Sequence, residues 1–422
     1  MSTEAGHLTE STIAPVTPLD RSIGWLKIPL LLAVLALGVG YVLHFAGQRQ
    51  VLLLVLGIAL GGVLYWATFS FSNGWRRMIT ERNSLWLRAQ MVMLVLASVL
   101  ILPVLAHGSV WGTPVFALVR PVGISLIAGA FLFGIGMQIA GGCASGTLYH
   151  AGGGQLKMIL VFITFALGAL LASAHYGWWM SQASLAPLAW TSHVGVVGAL
   201  LVNGAIAGAI YWLVSVLEKS RHGRVEPLFS WRSQNQGNQD QGSQNQDSRR
   251  VGSNLLLGGA ALAGLNFLTV VVAGRPWSVS NAFPVWGAKG SEWLGLSLDL
   301  EFWDYWSQPA AERALSGGLL DSITSVMNIG IVLGALAAAL LVKRYALVWR
   351  VGIRELVGAT LGGFLLGYGA TIGFGCNIGA FFGGVVSGSL HGWVWFLFAF
   401  MGTGLGMLLR PWFSLSVEGQ GR

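Results

Sequence analysis

The chain has 422 residues, of which 54% are hydrophobic and 9% charged, with 60 glycines, 19 tryptophans and a formal net charge of +8. Soluble domains carry about 25% charged residues, so a water-facing globular surface is excluded. Its two cysteines, Cys143 and Cys376, lie far apart and have no second Cys or His at ligand spacing, which excludes a disulfide framework and a Cys-based metal site.

The first 22 residues form a polar tail without the charged-then-apolar order of a cleaved signal peptide. Charge-free runs then follow at Val51–Trp75, Ala89–Val119, Pro121–Leu156, Met158–Leu217 and Leu356–Leu409. A spanning helix needs about 20 apolar residues, so several runs hold two. Ten spans are expected, at 26–46, 51–71, 86–106, 121–141, 156–176, 194–216, 254–274, 320–342, 354–374 and 392–410. The fold class is therefore an all-α polytopic protein of the lipid bilayer.

Basic residues collect in three loops. Arg76, Arg77, Arg82 and Arg88 follow the second span; Lys219, Arg221, Arg224, Arg232, Arg249 and Arg250 follow the sixth; Lys343, Arg344 and Arg350 follow the eighth. The positive-inside bias makes these loops cytoplasmic and places both termini there. The basic balance is thus an orientation signal and gives no reason to expect nucleic acid as a partner. Gly274–Gly317 is acid-rich and Trp-containing, which suits a folded segment on the outer side. Ser233–Ser248 is rich in Ser, Gln, Asn and Gly and is expected to be a flexible cytoplasmic linker. The expected division is a first membrane repeat at 23–217, a linker at 218–252, a second repeat at 253–412 with its outer segment at 275–316, and a C-terminal tail at 413–422.

One stretch occurs twice. At a constant offset, Gly129, Phe131, Gly134, Gly136, Ile139, Gly142, Cys143 and Gly146 match Gly362, Phe364, Gly367, Gly369, Ile372, Gly375, Cys376 and Gly379. Five spans separate the copies, so they run in opposite directions across the membrane. Two inverted halves of five spans are a transporter pattern with the substrate path at the repeat interface. Gly-mediated helix packing also explains spaced glycines, though not the matched cysteines.

Each cysteine is followed by a Gly-rich, charge-free connector, which suits a short half-helix re-entering the membrane. Cys143 and Cys376 would then stand at helix N-termini, where free N–H groups and the dipole favour an anion. A neutral thiol donates to an anion, whereas a thiolate repels one. A lone buried cysteine is commonly a small hydrophobe; a matched pair beside Gly142 and Gly375 in inverted repeats points to substrate. Further candidates are Gln138 and Thr371, five residues before their cysteines, and the small polar Ser145, Asn377 and Ser70. His150 and His391 fall at span edges, where an interfacial place is expected.

Ala140-Gly-Gly-Cys143-Ala-Ser-Gly-Thr-Leu-Tyr149 and Gly373-Phe-Gly-Cys376-Asn-Ile-Gly-Ala-Phe-Phe-Gly-Gly-Val385 resemble the sulphur transport (YeeE/YedE) family of bacterial inner-membrane proteins. Ser389-Leu390-His391-Gly392-Trp393 resembles its YedE-type branch. The resemblance implies no enzyme and no cofactor. It implies import of thiosulfate or a related sulfur or selenium species, passed between cysteine thiols, with a small cytoplasmic sulfur-carrier protein as a candidate partner. Where family members have a further cysteine in Cys-Phe-x-x-Ala-Phe-Arg, this chain has Ser70-Phe71-Ser72-Asn73-Gly74-Trp75-Arg76, replacing a third thiol by a hydroxyl. The alternatives are a membrane thiol redox enzyme, and a channel or structural subunit for another anion.

Overall fold

The computed structural model describes residues 24–229, 242–296, 298–342, 345–348 and 351–415. Among them, nine helical stretches are long and apolar enough to cross a membrane. The expected span at 26–46 falls on helix α1 (Gly24–Ala46), of which Ala33–Ala46 is a shorter apolar piece. The other nine expected spans each fall on one of the nine stretches. Strand among the described residues is confined to two pairs of two-residue strands, and no barrel closes.

Chain order is α2 (Gln48–Trp66), α3 (Phe71–Glu81), α4 (Leu85–His107), α5 (Ile124–Ile139), α6 (Ala144–Gly152), α7 (Lys157–Ala174), α8 (Tyr176–Met180) and α9 (Trp190–His222). The second half has α10 (Gly242–Ala273), α11 (Ala282–Trp293), α12 (Pro309–Ser316), α13 (Ile323–Leu341) and α14 (Ile353–Ile372). A π-helical segment, Asn377–Phe382, then runs into α15 (Gly383–Val386), and α16 (Leu390–Leu409) ends the membrane part. Helix α10 begins at Gly242, inside the stretch expected to be linker; residues 233–241 of that stretch lie outside the described residues. Once an apolar span has nucleated a helix, each added residue gains a backbone bond, so elongation into a polar flank is favourable.

Lipid offers no hydrophobic drive between helices, so close backbone approach does the packing. Helix α13 lies on α2, where a Cβ at Gly330 would stand 2.6 Å from Leu54 O and one at Gly57 would collide with Met327 O. Helices α5 and α14 cross antiparallel: a Cβ at Gly129 would stand 2.6 Å from Gly369 O, and one at Gly136 2.9 Å from Gly362 O. Gly134 fits against Ala399 O on α16, and Gly367 against Phe165 O on α7. The matched helical glycines of the repeat are therefore packing surfaces, as the Gly-packing explanation expects; those beside the cysteines have a different setting.

The helix partners come in matched sets. Helix α13 packs on α2 and α10 on α4; α14 packs on α7 and α16 on α5; α11 packs on α7 and α3 on α16. Helix α9 is held to α4 by a buried Arg88–Glu218 ion pair, 3.4 Å, in which Glu218 also accepts from the Ser84 hydroxyl and from Glu226 N–H at 3.1 Å. The segment after α10 folds into α11, a 3-10 turn and α12, and seats Leu300 and Trp306 against Leu170, Val285 and Ala288. That is the folded segment expected at Gly274–Gly317.

Candidate functional site

The two cysteine-bearing stretches break their helices in the same way. After α5 the chain turns at Gly141 with φ 86°; after α14 it turns at Phe374, φ 61°, and Gly375, φ 147°. Gly141 and Phe374 occupy equivalent positions in the two copies. A bulky residue at positive φ is costly, so packing must hold Phe374 there. Of the two glycines directly before the cysteines, Gly375 takes positive φ and Gly142 does not; in the first copy the positive φ falls one residue earlier, on Gly141. The two glycines also differ in space. A Cβ at Gly375 would stand 2.6 Å from Ala380 N, whereas one at Gly142 would stand 3.4 Å from Thr147 N.

Cys143 is the N-cap of α6 and Cys376 the N-cap of the π-helical segment, both in extended conformation, and neither thiol caps the helix. Both are free and buried. The carbonyl of Cys143 accepts from Thr147 N–H and Oγ1–H at 2.8 and 2.9 Å, and that of Cys376 from Ala380 N–H at 2.9 Å. The Oγ of Ser145 lies 3.5 Å from Cys143 Sγ. Ser70 and Tyr149, the latter on the helix that Cys143 caps, line one and the same cavity. Ser70 is itself the N-cap of α3, accepting from Asn73 N–H at 3.2 Å, with its Oγ 3.2 Å from Ser72 Oγ. Hydroxyl and thiols thus stand at the N-termini of three short helices, where partial positive charge collects.

Two cavities lie at opposite ends of α7 and α13. One, about 160 Å³, is lined by Arg120, Tyr176, Arg275, Tyr305, Thr371 and Gly379, among others; it lies past the end of α7 and at the start of α13. The other, about 530 Å³, is lined by Ser70, Ser72, Asn73, Arg76, Gly141 and Tyr149, among others; it lies before the start of α7 and past the end of α13. A single water needs about 10–15 Å³, so each cavity admits a small hydrated ion.

The smaller cavity is electropositive. Its lining contains Arg120 and Arg275 and no Asp or Glu. Arg275 donates to Thr324 Oγ1 at 3.1 Å, and Arg120 stands over the Phe374 ring, 6.0 Å from its centroid. Burial, with Arg120 and Arg49 nearby, pulls the Arg275 pKa down, yet a guanidinium keeps its charge in proteins. Burial pushes the phenols of Tyr176 and Tyr305 up, and their rings meet edge to face at 5.2 Å. Both remain protonated and able to donate to an anion.

Cys143 and Ser145 pair within one buried turn, Cys376 is buried in the equivalent turn of the second copy, and Ser70 is buried at the start of α3. Thr371 lines the smaller cavity, but its hydroxyl bonds back to Gly367 O at 3.0 Å. Gln138 donates to Ser72 O at 3.1 Å while its own carbonyl accepts from Arg410 at 2.7 Å, so it buttresses the Ser70 turn. Asn377 is buried, and neither of its amide atoms has a partner among the described residues. His391, expected at an interface, is buried, lines the smaller cavity and shares a 2.7 Å bond with Ser389. Sequence reasoning missed Arg120 and Arg275. A signal was present: each is followed by proline, and each stands on a loop that the positive-inside bias assigns to the side poor in arginine.

The profile of a family described as Sulphur transport matches residues 66–405. A relative named Thiosulfate transporter TsuA, of Spirochaeta thermophila, is 26% identical over 359 residues, 83% of this chain and 96% of its own. Probable transporter YedE of Salmonella typhimurium is 32% identical over 151 residues, 35% of this chain and 36% of its own. Thiosulfate transporter TsuA of Escherichia coli is 30% identical over 133 residues, 29% of this chain and 34% of its own. The chain thus matches about a third of the length of the last two.

Proposed function

The chain belongs to the sulphur transport family, and from that premise we propose that it imports a small sulfur-containing anion, thiosulfate or a close relative, along a path through Cys143 and Cys376. The observation that supports this reading is the pair of cavities at opposite ends of α7 and α13, one lined by Phe374 and Gly379 on either side of Cys376 and the other by Gly141, two residues before Cys143. Names of relatives that denote thiosulfate transporters support the substrate class.

In this reading the chain is two inverted repeats of five spans, and the short helices after Cys143 and Cys376 re-enter the membrane. The matched helix partnerships and the antiparallel α5–α14 crossing support that symmetry. An anion enters at Arg120 and Arg275, whose charge offsets the loss of hydration. It then meets helix N-termini and neutral thiols, which donate to it without repelling it. Ser70, Ser72 and Asn73 receive it in the larger cavity, with Arg76 on the lining. Gly141 and Gly375 let the backbone turn at the cysteines without a side chain closing the path.

The larger cavity opens toward the Arg76–Arg88 loop, which the positive-inside bias makes cytoplasmic; the protein then lies in the inner membrane with both termini inside. A cysteine at exposed Glu301 (Glu301→Cys) is expected to react with an impermeant thiol reagent added outside, and one at Arg221 (Arg221→Cys) to be spared; the opposite pattern would invert the path. Transport itself is tested by uptake of labelled thiosulfate, sulfate and selenite in a host lacking its own importers. Saturable thiosulfate uptake is expected, and its absence at normal membrane levels refutes the reading.

A further inference from the structure

The segment joining α10 to α11, Gly274–Asn281, forms neither helix nor strand and lines the smaller cavity through Arg275, Ser278, Ser280 and Asn281. Trp277 and Val279 are fully buried and anchored from both sides: Trp277 N–H donates to Asn266 Oδ1 at 2.8 Å, and Val279 O accepts from Asn328 Nδ2 at 2.9 Å. The alternate residues, Ser278 and Ser280, line the cavity. They are 5% and 3% exposed, and neither hydroxyl has a hydrogen-bond partner among the described residues. Buried hydroxyls elsewhere in these helices return to a carbonyl of their own turn: Ser173 to Leu170 O at 2.7 Å, Thr269 to Leu265 O at 2.8 Å, Thr403 to Ala399 O at 2.9 Å. In this non-helical segment with its two Asn clamps, neither serine hydroxyl makes such a bond among the described residues.

The Ser278 hydroxyl faces the Cys376 turn, and Ser280 lines the same cavity. A Cβ at Gly379 would stand 2.8 Å from Ser278 Oγ, and Gly379 lines the same cavity three residues after Cys376. Arg275, also on the lining, begins the same segment. Unpaired buried donors are costly unless a ligand satisfies them, and hydroxyls suit oxygen whereas a polarizable thiol suits sulfur.

We propose that Ser278 and Ser280 are the oxygen-binding subsite of the path: they donate to the oxygens of a tetrahedral sulfur oxyanion while its terminal sulfur faces the Cys376 thiol. The proposal rests on the transport reading and refines it, because it makes the substrate an anion with an oxygen end and a soft sulfur end. Sulfate, which shares the oxygen end alone, becomes a competitor that depends on the serines.

The test uses full-length protein in proteoliposomes, with labelled thiosulfate as substrate and sulfate as competitor. Ser278→Ala and Ser280→Ala are each expected to raise the half-saturating thiosulfate concentration roughly tenfold, the effect of a lost hydrogen bond to a charged group. Sulfate inhibition is expected to weaken in parallel, with the maximal rate within about threefold of wild type. Ser280→Thr, which keeps the hydroxyl, is expected to stay near wild type. Unchanged half-saturation and sulfate inhibition in both alanine variants overturns the proposal, as does a fall in maximal rate alone, which a structural role predicts. If one variant fails to reach the membrane, the other carries the test. A wild type that takes up no thiosulfate fails the transport reading itself, and the subsite falls with it; a working wild type with unaltered serine variants overturns the subsite alone.

Discussion

Replacing Cys376 or Cys143 by alanine is expected to cut thiosulfate uptake by about ten- to a hundredfold, the factor for a lost hydrogen bond to a charged group at about 1.5–3 kcal/mol. Folding should survive, because neither thiol caps its helix and each helix start keeps its backbone bonds. Serine retains a donor but is shorter and harder, so Cys143→Ser and Cys376→Ser should leave partial uptake where alanine leaves little. A membrane enzyme that cycles a disulfide would lose serine and alanine variants alike and would follow redox poise instead of a substrate gradient. Initial uptake rates of the four variants, normalised to membrane level, decide between these outcomes. Full activity in all four would remove the cysteines from the path.

Removing the two charges of the smaller cavity is expected to have an effect of similar size by a different route. With an effective dielectric of about 20 and a separation of about 8 Å, one guanidinium contributes about 2 kcal/mol for each unit of charge on the anion, roughly thirtyfold in affinity per charge. Arg120→Gln and Arg275→Gln should therefore each raise the half-saturating concentration by at least about tenfold. The effect should shrink as ionic strength rises, since salt screens the cavity mouth. Arg275→Gln also loses the bond to Thr324, so Arg275→Lys separates charge from geometry: it should recover most of the affinity. Rates measured from low to high salt test this, and a double Gln variant with wild-type half-saturation at low salt would exclude the arginines from substrate entry.

Buried in the membrane, a helix must satisfy its own backbone, so an apolar run of the right length specifies a span whatever surrounds it. That is why nine of the expected spans each fall on a long apolar helical stretch, with bounds shifted by several residues, and why α1 was located with them. The repeat was legible for a related reason. Gly141–Cys143 and Phe374–Cys376 are local breaks, and cysteine with glycine in a charge-free run is a local signal. The identity of the turn-forming residue was not legible, because Phe374 takes a left-handed conformation that its own sequence disfavours and that only its neighbours can impose.

The polar lining depended on tertiary structure. Arg120, Arg275 and Ser278 stand before α5 and after α10, far apart in the chain, and meet only because α5, α7, α13, α14 and α16 bring their ends to one cavity. Gln138 was a plausible path residue by position, yet its amide is directed to Ser72 O by the way α5 packs on the Ser70 turn. Arg88, counted among the basic residues of a cytoplasmic loop, is the buried partner of Glu218. Spans and helix breaks are set by the residues that form them, since hydrophobicity and backbone conformation act within a few residues. Which polar groups share a cavity is set by how helices dock, and that depends on glycine contacts between segments that sequence proximity does not relate.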